Sequence, residues 1–298
     1  MRILLTGGAG QLGRELLDTA TAEGHEVRST TRAECDITSP AQVRAVLDDA
    51  RPEVVINCAA WTKVDAAESE SDAAFLINAI GPRVLAGACA ARDVLLVQIS
   101  TDYVFDGTAT SPIDEWQRPH PRSVYGASKL AGEYEVRALA KRHLVIRTSW
   151  LYGRDGPNFV LTMLRAAAAR PELRVVSDQV GSPTWTGHLA PIVLRAIARD
   201  VPGTLHLTNS GVVSWHGFAE AIVAAAGRST PVIPITTAEY PTAAPRPSYS
   251  VLDNRAWRLL GEDPLPDWRE GLTSYLANLP ATGVPGHSAA GRVAHDLP

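Results

Sequence analysis

Seven residues near the start of the chain restrict its fold more than any other feature. Arg2-Ile3-Leu4-Leu5-Thr6 reads as a short strand, and Gly7-Gly8-Ala9-Gly10-Gln11-Leu12-Gly13 follows it directly and opens a helix. The run satisfies both G-x-x-G-x-x-G and, counted from Gly8, G-x-G-x-x-G, in the strand-to-helix context that gives the pattern meaning. Glycine permits the positive φ of a tight turn and lets a pyrophosphate approach the backbone closely. The helix that follows presents unpaired N–H groups and a partial positive charge at its first turn. The segment therefore predicts a βαβ unit that binds a dinucleotide, with Gly7, Gly10, Gln11, Leu12 and Gly13 around the phosphates.

The pattern continues as such a unit requires. Strand signals recur at 25–29, 54–57, 95–100 and 144–148, with helical patterns starting near Gln11, Ala41, Ala66 or Ser71, and Tyr125. Ser39-Pro40 reads as an N-cap followed by proline in the first helical turn. After Trp150 the alternation loosens: short strands are expected at 173–176, 205–207 and 232–235, and helices at 157–169, 189–198 and 215–226. The predicted class is α/β: a Rossmann-like doubly wound parallel sheet over residues 1–150, to which some later strands return, then a smaller C-terminal α/β substrate lobe over 151–280. Residues 281–298 are Gly, Ala, Ser and Pro with few large apolar side chains and read as a disordered tail.

Composition excludes several function classes. Twenty-eight basic residues against 32 acidic give a net charge of −4, which argues against a nucleic-acid partner. The N-terminus lacks the charged and apolar regions of a secretion signal, and no uninterrupted apolar run approaches the ~18 residues of a membrane span. No membrane partner and a cytoplasmic location are expected. Cys35, Cys58 and Cys89 are odd in number and widely spaced, as reduced buried thiols are, rather than a disulfide framework or a metal site.

The second strand of a dinucleotide-binding unit usually ends in an acid that holds the ribose 2′-OH of NAD. Here the window is Arg28-Ser29-Thr30-Thr31-Arg32, without an acid. Arg32 can pair with a 2′-phosphate, so NADPH is favoured and NADH is the alternative; a solvated loop charge is the other reading of this residue. Asp36-Ile37 lies before the next helix, where a carboxylate can accept from the adenine amino group or simply begin that helix. Ala60, Trp61 and Thr62 follow the strand at 54–57, whose carboxyl end should face the cofactor. Trp61 could flank the nicotinamide or substrate, or pack as an ordinary core tryptophan.

Thr101 and Asp102 end the strand at 95–100, and Tyr125 and Lys129 stand one helical turn apart further on. A free tyrosine titrates near ~10, too high for efficient proton transfer at neutral pH, and a lysine cation nearby should lower that value. Thr101 can hydrogen-bond a substrate oxygen in the same crevice. Thr101, Tyr125 and Lys129 are the candidate catalytic set.

With the glycine turn, this constellation resembles the extended short-chain dehydrogenase/reductases. Val64-Asp65-Ala66-Ala67-Glu68, Arg147-Thr148-Ser149-Trp150, Asp178-Gln179-Val180-Gly181-Ser182-Pro183-Thr184 and Arg246-Pro247 are similar to their dTDP-4-dehydrorhamnose reductase branch, over residues 1 to about 275. The resemblance implies reduction of the C4 keto group of dTDP-4-dehydro-β-L-rhamnose. Tyr125 would be the general acid, Lys129 would hold the nicotinamide ribose, and Thr101, Asp102, Tyr125 and Trp150 would contact the sugar. It also suggests Arg246 for a diphosphate oxygen, with a solvated loop arginine as the other reading. Some members dimerise through magnesium held by glutamates; Glu15 stands at one such position, but Trp185-Thr186-Gly187-His188 supplies no acid, so no metal and a monomer are expected. Two rivals remain: a nucleotide-sugar dehydratase or epimerase, against which Thr101-Asp102-Tyr103 lacks the Thr-Asp-Glu of dehydratases, and a non-catalytic NADP-binding module like the regulatory subunit of methionine adenosyltransferase.

Overall fold

The computed structural model describes residues 1–279; the expected tail at 281–298 lies outside them. In the first half, strands β1 (Arg2–Thr6), β2 (Glu26–Thr30), β3 (Val54–Asn57), β4 (Leu95–Thr101) and β5 (His143–Thr148) alternate with helices α1 (Gln11–Ala22), α2 (Pro40–Ala50), α3 (Val64–Ser69), α4 (Ser71–Phe75), α5 (Gly81–Ala90) and α6 (Val124–Leu139). The second half carries short strands β6 (Leu151–Tyr152), β7 (Leu173–Val176), β8 (Val180–Gly181), β9 (Thr184–Trp185), β10 (Gly203–His206), β11 (Val213–Ser214) and β12 (Val232–Ile235). Its helices are α7 (Phe159–Ala169), α8 (Thr186–Ala198), α9 (Trp215–Ala225), α10 (Arg255–Leu259) and α11 (Trp268–Ala277).

Six strands form one parallel sheet in the order β2-β1-β3-β4-β5-β10. Every residue of β3 and β4 is buried, because a parallel sheet is covered on both faces. Alternate residues of one strand serve opposite layers. Ile3 and Leu5 face Leu12, Leu16, Leu189 and Val193 of α1 and α8. Leu4 faces Val43, Leu47, Leu85 and Val136 of α2, α5 and α6. The strand order reverses between β1 and β3, which opens a crevice at their carboxyl ends.

Boundaries moved for local reasons. Helix α7 begins at Phe159, since Asn158 Oδ1 accepts the Leu161 N–H at 3.0 Å and caps it. Helix α8 begins at Thr186, with Pro191 inside it, rather than at 189. The helical run Ser71–Ala90 is long and apolar enough to cross a bilayer by length and composition. Its Leu85, Ala86 and Cys89 instead pack on the sheet, which accounts for the apolar face. A second, aromatic core lies in the C-terminal half, where Tyr152, Phe159, Trp215, Phe218, Trp268 and Tyr275 meet.

A fully buried ion pair joins α6 to β5. Arg147 Nε and Nη2 donate to Glu133 Oε1 and Oε2 at 2.9 and 2.8 Å, and Ser100 Oγ and Arg137 Nη2 donate to the same carboxylate at 2.6 and 2.8 Å. Removing one member strands the other charge in the interior. Glu133→Ala is expected to destabilise the fold by about 3–5 kcal/mol in urea denaturation; a loss below about 1 kcal/mol would show that water reaches Arg147.

Candidate active site

The glycine turn meets the loop after β3 at the reversal of strand order. Gly7 has φ 71°, and a side chain there would place Cβ 2.5 Å from the Ala59 nitrogen. At Gly13 a Cβ would lie 2.5 Å from the Gly7 carbonyl oxygen. Helix α1 starts after Gly10 with no side chain capping it, which leaves its first N–H groups for an anion. The Leu12 side chain is buried, and Gln11 Nε2 donates to the Pro157 carbonyl at 2.9 Å, so both residues offer backbone rather than side chain to that cradle. These features fit a bound dinucleotide pyrophosphate.

Around the cradle the expected contacts separate into several kinds. Arg32 is 79% exposed with only a 3.9 Å pairing to Asp36, so its guanidinium is free to meet a phosphate. The Asp36 carboxylate takes the Thr38 N–H and hydroxyl at 2.9 and 2.7 Å, which holds its pKa below the ordinary value and leaves less of it for a ligand. The Ile37 side chain is 4% exposed and belongs to the α2 and α5 core. Ala60 and Trp61 are half-buried and Thr62 is exposed. The Trp61 indole N–H donates to the Lys63 carbonyl at 2.9 Å, and its ring lies beside Ala67, Ala74 and Tyr125, so it is a wall of the crevice.

A row of buried polar groups runs along the strand ends to the lysine. Thr6 Oγ1 donates to Asn57 Oδ1 at 2.7 Å, Asn57 Nδ2 to Gln98 Oε1 at 2.8 Å, and Gln98 Nε2 to the Ile99 carbonyl at 2.9 Å. Lys129 Nζ donates to the same Ile99 carbonyl at 2.7 Å. Burial pulls this ammonium down to about 8, against the pull of Glu133 and Cys58. Burial likewise pushes the Cys58 thiol up to about 12, leaving it inert as a small core side chain.

The expected lowering of the tyrosine by the lysine is therefore corrected. Both residues share one helix face, but the long lysine side chain reaches to β4. The Tyr125 phenol is pushed up to about 12, chiefly by burial; the Thr101 hydroxyl opposes this and the Asp102 charge adds to it. Thr101 Oγ1 donates to Asp102 Oδ1 at 3.0 Å and accepts the Tyr103 N–H at 3.3 Å. Asp102 is 2% exposed, and its Oδ2 has no partner among the described residues. The Tyr103 ring meets the Tyr125 ring edge-on at 5.5 Å.

The wall opposite comes from the second half. Trp150 has φ 48° and lies flat on Trp215, centroids 3.4 Å apart at 4°. Trp215, Phe159, Gln179, Tyr240 and Arg246 line an adjoining cavity. Arg246 is buried rather than solvated, with 3% of its side chain exposed. Its Nη2 donates to Asp65 Oδ2 at 2.7 Å, while Nε and Nη1 have no partner among the described residues. Asp65 Oδ1 also accepts the Ala244 N–H at 2.9 Å, a role for Asp65 that its sequence setting did not suggest. At Glu15, Thr186 Oγ1 donates to Oε2 at 3.4 Å, and burial raises the carboxyl above its ordinary value.

The model of the RmlD substrate-binding domain matches residues 1–280. The dTDP-4-dehydrorhamnose reductase of Mycolicibacterium smegmatis is 45% identical over 280 residues, covering 93% of this chain and 85% of that protein. A probable dTDP-4,6-dihydroxy-2-methyloxan-3-one 4-ketoreductase of Streptomyces antibioticus is 44% identical over 292 residues, covering 96% and 98%. The solved structure of dTDP-4-dehydrorhamnose reductase from Bacillus anthracis in complex with NADP superimposes with a TM-score of 0.91 at 42% identity, covering 93% and 98%.

Burial of Asp102 sets a pH dependence. Its carboxyl is pushed up to about 6 from the ordinary 3.8, mainly by desolvation, while hydrogen bonds from Ser250 and Thr101 oppose the shift. Between these values the folded state keeps a proton that the unfolded chain has lost, so this group makes stability fall as pH rises. Asp102→Asn has no such proton. Relative to wild type, its stability is expected to gain about 2 kcal/mol between pH 4 and pH 7; a flat difference across that range in denaturant titrations contradicts the assignment.

Proposed function

The chain belongs to the RmlD substrate-binding domain family, and from that membership we propose that it reduces the C4 keto group of dTDP-4-dehydro-β-L-rhamnose to dTDP-L-rhamnose with NADPH, NADH being the alternative donor. The observation that carries this reading is the meeting of Tyr125 and Thr101 in a buried crevice, between the glycine cradle and a buried Arg246 with two guanidinium nitrogens unpaired among the described residues.

The bound nicotinamide would supply hydride to the carbonyl carbon. The chain's own residues handle the oxygen. Tyr125 Oη–H gives its proton to that oxygen as negative charge develops there: the O–H bond of the product alcohol forms as the phenol O–H bond breaks, leaving phenolate. Burial keeps the phenol protonated at neutral pH, so it holds the proton that the reduction takes up. Lys129, held on the Ile99 carbonyl, would offer its ammonium as a donor to the nicotinamide ribose. Thr101 orients the keto oxygen, and Asp102 and Trp150 border the sugar.

Arg246 meets a diphosphate oxygen of the dTDP portion, its orientation fixed by Asp65. Residues 1–150 carry the cofactor and 151–280 the sugar nucleotide. Tyr103 fills the place where dehydratases carry glutamate, and its phenol, kept protonated by burial, offers no second base at neutral pH. The enzyme acts as a cytoplasmic monomer without a metal, nucleic-acid or membrane partner. The cofactor contacts in this reading are Gly7, Gly10, Gln11, Leu12 and Gly13 through their backbone, with Arg32, Asp36, Ala60, Trp61 and Thr62 around the nucleoside and nicotinamide.

Purified protein with NADPH and dTDP-4-dehydro-β-L-rhamnose is expected to yield dTDP-L-rhamnose; NADPH binding without turnover sinks the proposal. Tyr125→Phe should lower kcat by about 10²–10⁴-fold while NADPH affinity changes little, and retention of most of kcat removes Tyr125 from its role. Arg32→Ala should raise the KM for NADPH about tenfold and leave that for NADH unchanged. Equal effects on both cofactors would rule out a 2′-phosphate contact.

A further inference from the structure

The turn after β2 carries an anion of its own at the edge of the glycine cradle. Gly8 N–H donates to the Thr30 carbonyl at 3.0 Å, and a Cβ on Gly8 would fall 1.7 Å from the Ser29 hydroxyl oxygen, so the end of β2 lies directly against the cradle. Cys35 and Ile37, both 4% exposed, fix the far side of the turn in the core beneath α2 and α5. Residues 31–34 are left exposed between these anchors. In dinucleotide-binding folds the 2′ position of the adenosine ribose is read here.

Thr31 N–H and the Thr31 hydroxyl both donate to Glu34 Oε2, at 2.7 and 2.8 Å. These bonds hold the Glu34 carboxyl below its ordinary pKa. A phosphate oxygen would satisfy the same backbone and hydroxyl donors. Arg32, between the two residues, keeps its guanidinium 79% exposed. The turn thus holds a cation and two neutral donors suited to a phosphate, and the two donors already carry a carboxylate. Each donor has one hydrogen to give, and like charges a few ångströms apart repel, so a phosphate and the Glu34 carboxylate exclude one another there. A ribose 2′-hydroxyl has no such conflict, because it is neutral and can donate to a carboxylate.

We propose that Glu34 is a specificity-determining residue that fills the 2′-phosphate site with its own carboxylate, so that NADPH binds by displacing it from Thr31 and NADH leaves it in place. Arg32 favours the phosphate, and Glu34 opposes it from the same turn. The proposal rests on the reading that a nicotinamide dinucleotide occupies the glycine cradle, and makes no use of the sugar substrate.

The fragments 2′,5′-ADP and 5′-AMP differ by that phosphate alone, and calorimetric titration of each into the purified protein tests the proposal without turnover. Glu34→Gln keeps an acceptor for the Thr31 N–H and removes the charge. It should tighten 2′,5′-ADP about tenfold and leave 5′-AMP unchanged or weaker. Thr31→Val added to Glu34→Gln removes a donor that the phosphate has gained, and should weaken 2′,5′-ADP about fivefold with 5′-AMP unchanged. NADPH and NADH, titrated by fluorescence, should follow the two fragments in turn. A damaged turn would instead weaken both fragments alike. A ratio of the two Kd values in Glu34→Gln within about twofold of wild type overturns the proposal, as does weaker binding of both. Failure of NADPH and both fragments to bind any of these proteins overturns the cofactor reading and the proposal with it. Binding without turnover overturns the reductase reading alone and leaves the Kd ratio to decide on Glu34.

Discussion

The Ile99 carbonyl is the fixed point on which the interior of this protein is organised. It receives Gln98 from its own strand and Lys129 from α6, at the end of a hydrogen-bonded row that starts at Thr6. A buried ammonium needs a strong acceptor, and a backbone oxygen fixed by the sheet supplies one that cannot swing away. The same row locks the side chains at the ends of β1, β3 and β4 to one another. The glycine turn, the Ala59 loop and the Thr101 hydroxyl all leave the sheet at those ends, so their mutual spacing is inherited from it.

The site built on that sheet combines saturation with vacancy. Glu133 and Asn57 have both polar atoms of their side chains hydrogen-bonded within the protein. Asp102 Oδ2 and Arg246 Nε and Nη1, in contrast, are buried without hydrogen-bond partners among the described residues. Leaving such groups unpaired costs stability unless something arrives to meet them. The first group makes a rigid frame, and the second marks where polar atoms of a sugar nucleotide would be recognised.

Much of this was legible in the chain because the signals are local. A glycine run between a strand and a helix, a tyrosine and a lysine one turn apart, and a missing acid after the second strand each occupy a few consecutive residues. What escaped depends on distance. Asp65 and Arg246 are 181 positions apart, and nothing near Arg246 marks it as buried. The lysine was misjudged for a related reason: helical spacing gives the face on which a side chain starts, while the acceptor it reaches is set by a strand 30 residues away.

The parallel sheet draws its sixth strand from Gly203–His206, and α8 packs against α1 from the other half of the chain. His206 then closes over Arg147, 3.3 Å from its Nη1. A chain emerging from the ribosome at about 5–20 residues per second has therefore made both Tyr125 and Lys129 some seconds before the strand that seals their sheet exists. Until then the outer edge of β5 is open to pairing with another chain. The molecule's vulnerable period thus falls midway through synthesis, and it ends with a strand that carries none of the proposed chemistry.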